Sequence, residues 1–155
     1  MMLKYMLDTN ILIYTMKNRP AQVRKRFNQH AGQMCISSIS LGELVFGAEH
    51  SQQVERNLAD IEMMIAQLEV LPFGMVEASH FGRIRSELYR IGRQIGPYDM
   101  MIAGHARATG MILVTNNEKE FARVQGLLIE NWCAGEHGEH EDITGENGDI
   151  TPRKL

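Results

Sequence analysis

Apolar residues gather along this chain in short runs, separated by longer stretches with helical spacing. Tyr5-Met6-Leu7 is the first run, stopped by Asp8, and Ile11-Leu12-Ile13-Tyr14 marks the start of a helix. From about Pro20 to Gln29 the pattern predicts a second helix, with Val23 and Phe27 four apart on one face. Met34-Cys35-Ile36 reads as a second strand. It is followed by a helix from Ser38 to Ala48 and another from Val54 to Leu68, where Leu58, Ile61, Ile65 and Leu68 recur at helical spacing. Glu69-Val70-Leu71 reads as a third short strand, ended by Pro72, and a long helix is expected from about Met75 to Arg90. Gly92 and Gly96 mark a loop, and Pro97 suits the first turn of the next helix, where a backbone donor has no use. Met111-Ile112-Leu113-Val114-Thr115 is the clearest strand, stopped by two asparagines, and Leu127-Leu128-Ile129 closes the set. Runs that are apolar at nearly every position mark strands covered on both faces. Their alternation with helices predicts an α/β sandwich, a mainly parallel central sheet flanked by helices.

Composition narrows the picture. With 155 residues, 44% hydrophobic and 23% charged, the chain suits one folded domain and not a disordered one. No apolar run approaches the ~18 residues of a membrane span. Met1–Leu7, broken by Lys4, lacks the length and cleavage site of a secretory signal. Two cysteines about a hundred residues apart make no disulfide framework, so a reducing cytoplasm is the expected compartment, and Cys35 reads as a buried small side chain. The net charge of −3 is uneven. From Ala134 to Leu155 six acids (Glu136, Glu139, Glu141, Asp142, Glu146, Asp149) face two bases, Arg153 and Lys154, which leaves the body near neutral. Residues 1–133 are therefore expected to form the domain, and 134–155 an acidic, flexible tail with too few apolar residues to order itself. A near-neutral body is not one that holds duplex DNA by charge alone, although Arg24-Lys25-Arg26 and Arg83, Arg85, Arg90 and Arg93 form local basic clusters.

In open parallel sheets, sites form beyond the carboxyl ends of the strands. Four acids stand at such junctions: Asp8 after the first strand, Glu43 near the start of the helix after the second, Asp99 two residues past Pro97, and Glu120 after Asn116-Asn117. Each has an ordinary structural explanation. Asp8 can cap a helix, Ser40-x-x-Glu43 fits a capping box with Ile39 and Leu44 as a hydrophobic staple, Asn117-x-x-Glu120 has the same spacing, and Asp99 favours the positive end of its helix. Their common location argues for more. Carboxylates packed together repel, and a cluster that stays ionised needs a cation. Carboxylate oxygens suit Mg²⁺ or Mn²⁺, whereas Zn²⁺ prefers His or Cys, and no H-E-x-x-H pattern occurs; His105 stands alone on its helix. Divalent ions on carboxylates commonly serve phosphodiester hydrolysis.

Four blocks carry a family resemblance: Leu7-Asp8-Thr9-Asn10-Ile11-Leu12-Ile13, Ser38 with Glu43-Leu44, Gly96-Pro97-Tyr98-Asp99 with Ile102-Ala103, and Val114-Thr115-Asn116-Asn117 with Phe121. In order and spacing they resemble the PIN-domain signature, in its bacterial VapC branch of toxins from type II toxin–antitoxin pairs. The resemblance covers about residues 3–132. It implies a PIN-like three-layer sandwich and an Mg²⁺-dependent endoribonuclease, with Mn²⁺ a plausible substitute. Asp8, Glu43 and Asp99 would be the metal-binding acids, with Glu120 as a fourth catalytic acid and Thr9, Asn10, Thr115 and Asn117 in support. Many family members carry an aspartate in the fourth motif where this chain has Asn116-Asn117, so either Glu120 supplies that acid or Asn117 orients water. The resemblance further implies a homodimer, neutralisation by a VapB-type antitoxin, and an RNA substrate, the initiator tRNA anticodon stem-loop. Two other readings compete. A haloacid-dehalogenase-type phosphatase needs a second aspartate where Asn10 stands, and a non-catalytic PIN-like module that binds RNA or protein would have an incomplete acid set.

Overall fold

The computed structural model describes residues 2–133; the expected tail, 134–155, lies outside the described residues. In chain order the elements are β1 (Tyr5–Leu7), α1 (Thr9–Lys17), α2 (Ala21–Gln29), β2 (Met34–Ser37), α3 (Ser38–Glu49), α4 (Val54–Ile65), β3 (Glu69–Leu71), α5 (Met75–Arg90), α6 (Pro97–Thr109), β4 (Ile112–Val114), α7 (Glu118–Phe121) and β5 (Leu128–Glu130). The strands form one sheet in the order β3-β2-β1-β4-β5, with all four neighbouring pairs parallel.

Successive residues of a strand point to opposite faces, and the two cores divide accordingly. Tyr5, Leu7, Met34, Ile36 and Val114 join side chains of α1–α4, including Ile11, Leu12, Val23, Phe27, Leu44 and Ile61. Met6, Cys35 and Leu113 join α5–α7 on the other face, through Ile84, Leu88, Ile102, Ala103 and Phe121. The three layers follow directly from strands that are apolar on both faces. Each fully buried Leu or Ile among them contributes roughly 1.5–3 kcal/mol. Helices α5 and α6 approach closely at Gly104, where a β-carbon would lie 2.8 Å from the Phe81 nitrogen.

Most expected elements fall within a few residues of their place. The helix expected at Ile11 starts at Thr9, because Asp8 caps it, and α4 stops at Ile65, with Leu68 in the turn that leads to β3. Pro97 occupies the first turn of α6, and Gly110 ends that helix with φ +70°, a conformation glycine adopts freely. Cys35 is fully buried. Trp132 closes the first core. Its ring lies 5.4 Å from that of Tyr5 and 5.3 Å from that of His30, and its Nε1 donates to Glu130. No helix among the described residues is long and apolar enough to cross a membrane.

Candidate active site

The strand order places β1 between β2 on one side and β4 on the other, so successive crossovers leave β1 in opposite directions. In open parallel sheets ligands bind at such a reversal, beyond the carboxyl ends of the strands, here those of β1 and β4. Asp8 follows β1 there, buried, with its side chain engaged at both oxygens. Oδ1 accepts from the Ile11 backbone and caps α1; Oδ2 accepts from the Thr115 hydroxyl, 2.5 Å away. The capping and functional readings of Asp8 are thus both satisfied by one side chain, since a carboxylate has about four acceptor positions and these bonds use two.

A hydrogen-bonded chain runs from Asp8 into the segment after β4. Thr115 Oγ1 accepts from the Asn117 backbone at 3.0 Å, and Asn117 Nδ2 donates to Glu120 Oε2 at 3.1 Å. Asn117 occupies the cap position of α7 but makes no side-chain cap bond; its amide instead steadies Glu120. Next to it, Asn116 Nδ2 donates to the Tyr14 hydroxyl at 2.9 Å, tying this segment to α1. Asn10 is buried on the first turn of α1.

Glu43 arrives from the other neighbour of β1. The expected capping box does not form: the cap of α3 is Ser37, three residues earlier, whose hydroxyl accepts from Ile39, and Ser40 is buried inside the helix. With the cap at Ser37, Ile39 and Leu44 no longer stand at the staple positions. Glu43 therefore lies in the second turn of α3, where its Oε1 accepts from Thr9 Oγ1 at 2.8 Å. Thr9 and Thr115, on either side of Asp8, each give a hydroxyl proton to one acid of the set.

Asp99 reaches the same edge by topology. A helix that leads into a parallel strand begins above the carboxyl edge, and α6 leads into β4; Asp99 is its third residue and is 3% exposed. The described residues hold no group of three or more His, Cys, Asp or Glu side chains already gathered as ligands of one ion. Hydrogen bonds join Asp8, Thr115, Asn117 and Glu120 in one chain and Glu43 to Thr9, and Asp99 stands buried in the first turn of α6. Two of them, Asp8 and Asp99, are buried carboxylates, and Glu43 is tied to the residue after Asp8. That chemistry fits a hard cation such as Mg²⁺.

Ser37 and Cys133 carry no signal in the sequence, and His105, which stands alone on its helix in sequence, has a partner across the fold. Ser37 and His105 face each other in the core, with His105 Nδ1 2.8 Å from Ser37 Oγ, and burial holds the His105 imidazole below its ordinary pKa. Cys133 packs at the end of the domain, where burial, and then the charge of Asp8, push its thiol up to about 12. Nothing in spacing marks any of the three, since each partner is far away in sequence.

The PIN-domain family profile matches residues 5–127. The tRNA(fMet)-specific endonuclease VapC of Shigella flexneri is 59% identical over 131 residues, covering 84% of this chain and 99% of the relative. The protein of the same name from Salmonella typhimurium is 55% identical over 132 residues, 85% of this chain and 100% of the relative. Among solved structures, that of DNA-bound VapBC from Salmonella typhimurium superposes with a TM-score of 0.81 at 55% identity, covering 84% of this chain and 99% of the other. On sequence and fold, this chain belongs to the VapC branch of the PIN-domain family.

Proposed function

We propose that this chain is the ribonuclease toxin of a VapBC pair, a metal-dependent endoribonuclease whose substrate is tRNA. The observation that carries the reading is the buried Asp8, held at both oxygens between α1 and the segment after β4, with Glu43 bound to the adjacent Thr9 and Asp99 buried at the start of α6. The relatives named for cleavage of tRNA(fMet) align over nearly the whole described domain, which supports initiator tRNA as the substrate.

Asp8, Glu43 and Asp99 would hold the cation, and Mg²⁺ bound there supplies acidified water and positive charge against the phosphate. The protein's own contribution is to position. Asp8 cannot rotate without losing the Ile11 and Thr115 bonds, and Thr9 aims Glu43. Glu120 completes the acid set, held by Asn117, which in turn is anchored on the Thr115 hydroxyl. Attack by water, not by the neighbouring 2′-hydroxyl, leaves a 3′-hydroxyl and a 5′-phosphate. Unpaired anticodon-loop nucleotides suit such a site, because an RNA duplex hides its base edges. A VapB-type antitoxin is the expected partner, since chains of this fold have been solved within VapBC complexes. A second copy of this chain would complete the assembly, and exposed Met75, Val76, Tyr89 and Ile91 on and beside α5 offer it an apolar surface.

The test is cleavage of initiator tRNA by the full chain with Mg²⁺ and with EDTA, beside the Asp8→Asn variant. Activity should vanish with EDTA and fall on the order of a hundredfold or more in the variant. Unchanged cleavage in Asp8→Asn overturns the mechanism, and RNA binding without cleavage in any divalent metal favours the inert module.

A further inference from the structure

We propose that His105 is a positioning residue for the acidic rim: through Nδ1 on the Ser37 hydroxyl, it ties the helix that carries Glu43 to the helix that carries Asp99. The proposal rests on the metal-nuclease reading above and adds a residue outside its acid set.

His105 is fully buried in the middle of α6, and its side chain reaches across to the end of β2. Ser37 is the hinge of that edge. It is the last residue of β2 and the cap of α3, and its hydroxyl already accepts from the Ile39 backbone at 3.1 Å. Its proton and its second lone pair both remain for His105 Nδ1, so the bond forms with either tautomer of the imidazole. The other ring nitrogen, Nε2, is buried and has no hydrogen-bond partner among the described residues. The neighbouring serine closes the junction from outside: Ser38 Oγ accepts from the Phe73 backbone at 3.0 Å, and the Phe73 ring meets the imidazole edge-on, centroids 5.8 Å apart.

A leucine would fill this space and remove the bare nitrogen, at the cost of the partner of the Ser37 hydroxyl. A buried imidazole with one nitrogen bare is a poor choice for stability alone. What the imidazole adds is a directional bond between two helices. Its place along them matters. Glu43 lies six residues from Ser37 on α3, and Asp99 lies six residues from His105 on α6. Each acid thus sits about 9 Å along its helix from the same junction. At that lever length a tilt of about 6° displaces a carboxylate by about 1 Å, and a misplacement of that size is enough to cost a reaction two orders of magnitude. The junction sets the two arms relative to each other, while Thr9 and Thr115 set the acids locally.

The experiment compares His105→Leu, His105→Asn and His105→Gln in the full chain. Asparagine puts an acceptor near the place of Nδ1; glutamine puts its amide at the place of Nε2, out of reach of Ser37. Three quantities are read: the urea midpoint of the metal-free protein, the affinity for Mn²⁺ by calorimetry, and kcat and KM for cleavage of initiator tRNA. In His105→Leu the midpoint should change little, loss of the Ser37 partner being offset by removal of the bare nitrogen, while Mn²⁺ binding weakens and kcat falls by about tenfold or more, with KM changed less than about threefold. His105→Asn should recover most of both losses, and His105→Gln should not. Wild-type kcat and Mn²⁺ affinity in His105→Leu overturn the proposal, as does activity that declines only in step with the folded fraction. If the leucine variant does not fold, equal behaviour of the asparagine and glutamine variants overturns it. A wild-type chain that neither binds Mn²⁺ nor cuts RNA removes the nuclease reading itself, and this proposal with it.

Discussion

Thr115 is the residue whose replacement most directly tests how Asp8 is held. Valine keeps its shape and removes only the hydroxyl, so Thr115→Val deletes two hydrogen bonds at a fully buried point. One is the bond given to Asp8 Oδ2, the other the bond taken from the Asn117 backbone. A hydrogen bond to a charged group contributes about 1.5–3 kcal/mol, and an orphaned buried N–H costs about 1–3 kcal/mol. The extra methyl returns up to about 0.8 kcal/mol. The net loss should be about 2–5 kcal/mol. For a domain of this size that is a fall in Tm on the order of 10 °C. Trp132 is the single tryptophan and is 1% exposed, so its fluorescence follows unfolding in urea directly. Activity should fall further than stability, because Asp8 is freed to rotate and Glu120 loses the far end of its support. Thr115→Ser keeps the hydroxyl and should retain both stability and cleavage within about threefold. A valine variant that unfolds at the wild-type urea concentration and cuts RNA at the wild-type rate would refute the claim that this hydroxyl organises the rim.

Three further outcomes follow from the same geometry. Gly104→Ala places a β-carbon 2.8 Å from the Phe81 nitrogen and should destabilise the domain by about 1–3 kcal/mol in urea unfolding, through forced separation of α5 and α6. Burial pushes the thiols of Cys35 and Cys133 up to about 12, from an ordinary 9.0, so neither should react with a disulfide reagent at pH 8 until urea exposes both. The sign for stability follows: protonated thiols favour the folded state below pH 9, and that contribution is lost as pH climbs from 9 towards 12, visible as a falling urea midpoint. Glu120→Gln should reduce cleavage less than Asp8→Asn does, because Glu120 is only half-buried and touches the rest of the set through Asn117.

The sequence alone determined the layering and the address of the chemistry. Strands as short as Tyr5–Leu7 and Ile112–Val114 are recognisable because every position is apolar, and only a sheet covered on both faces asks for that. Asp8 directly follows β1, Glu43 lies on the helix after β2 and Glu120 follows β4, so these three could be named from local order, whereas Asp99 follows α5 and opens the helix that leads into β4. Tertiary structure decided how they are held. Ser40-x-x-Glu43 satisfies the local rule for a cap, yet Ser37 wins the position, since it ends a strand whose register with Leu71 is set by the sheet. Thr115 and Asp8 are 107 residues apart, Ser37 and His105 are 68, and Thr9 and Glu43 are 34. Bonds over such separations leave no periodicity behind, because they depend on which strands become neighbours and not on what stands nearby in the chain.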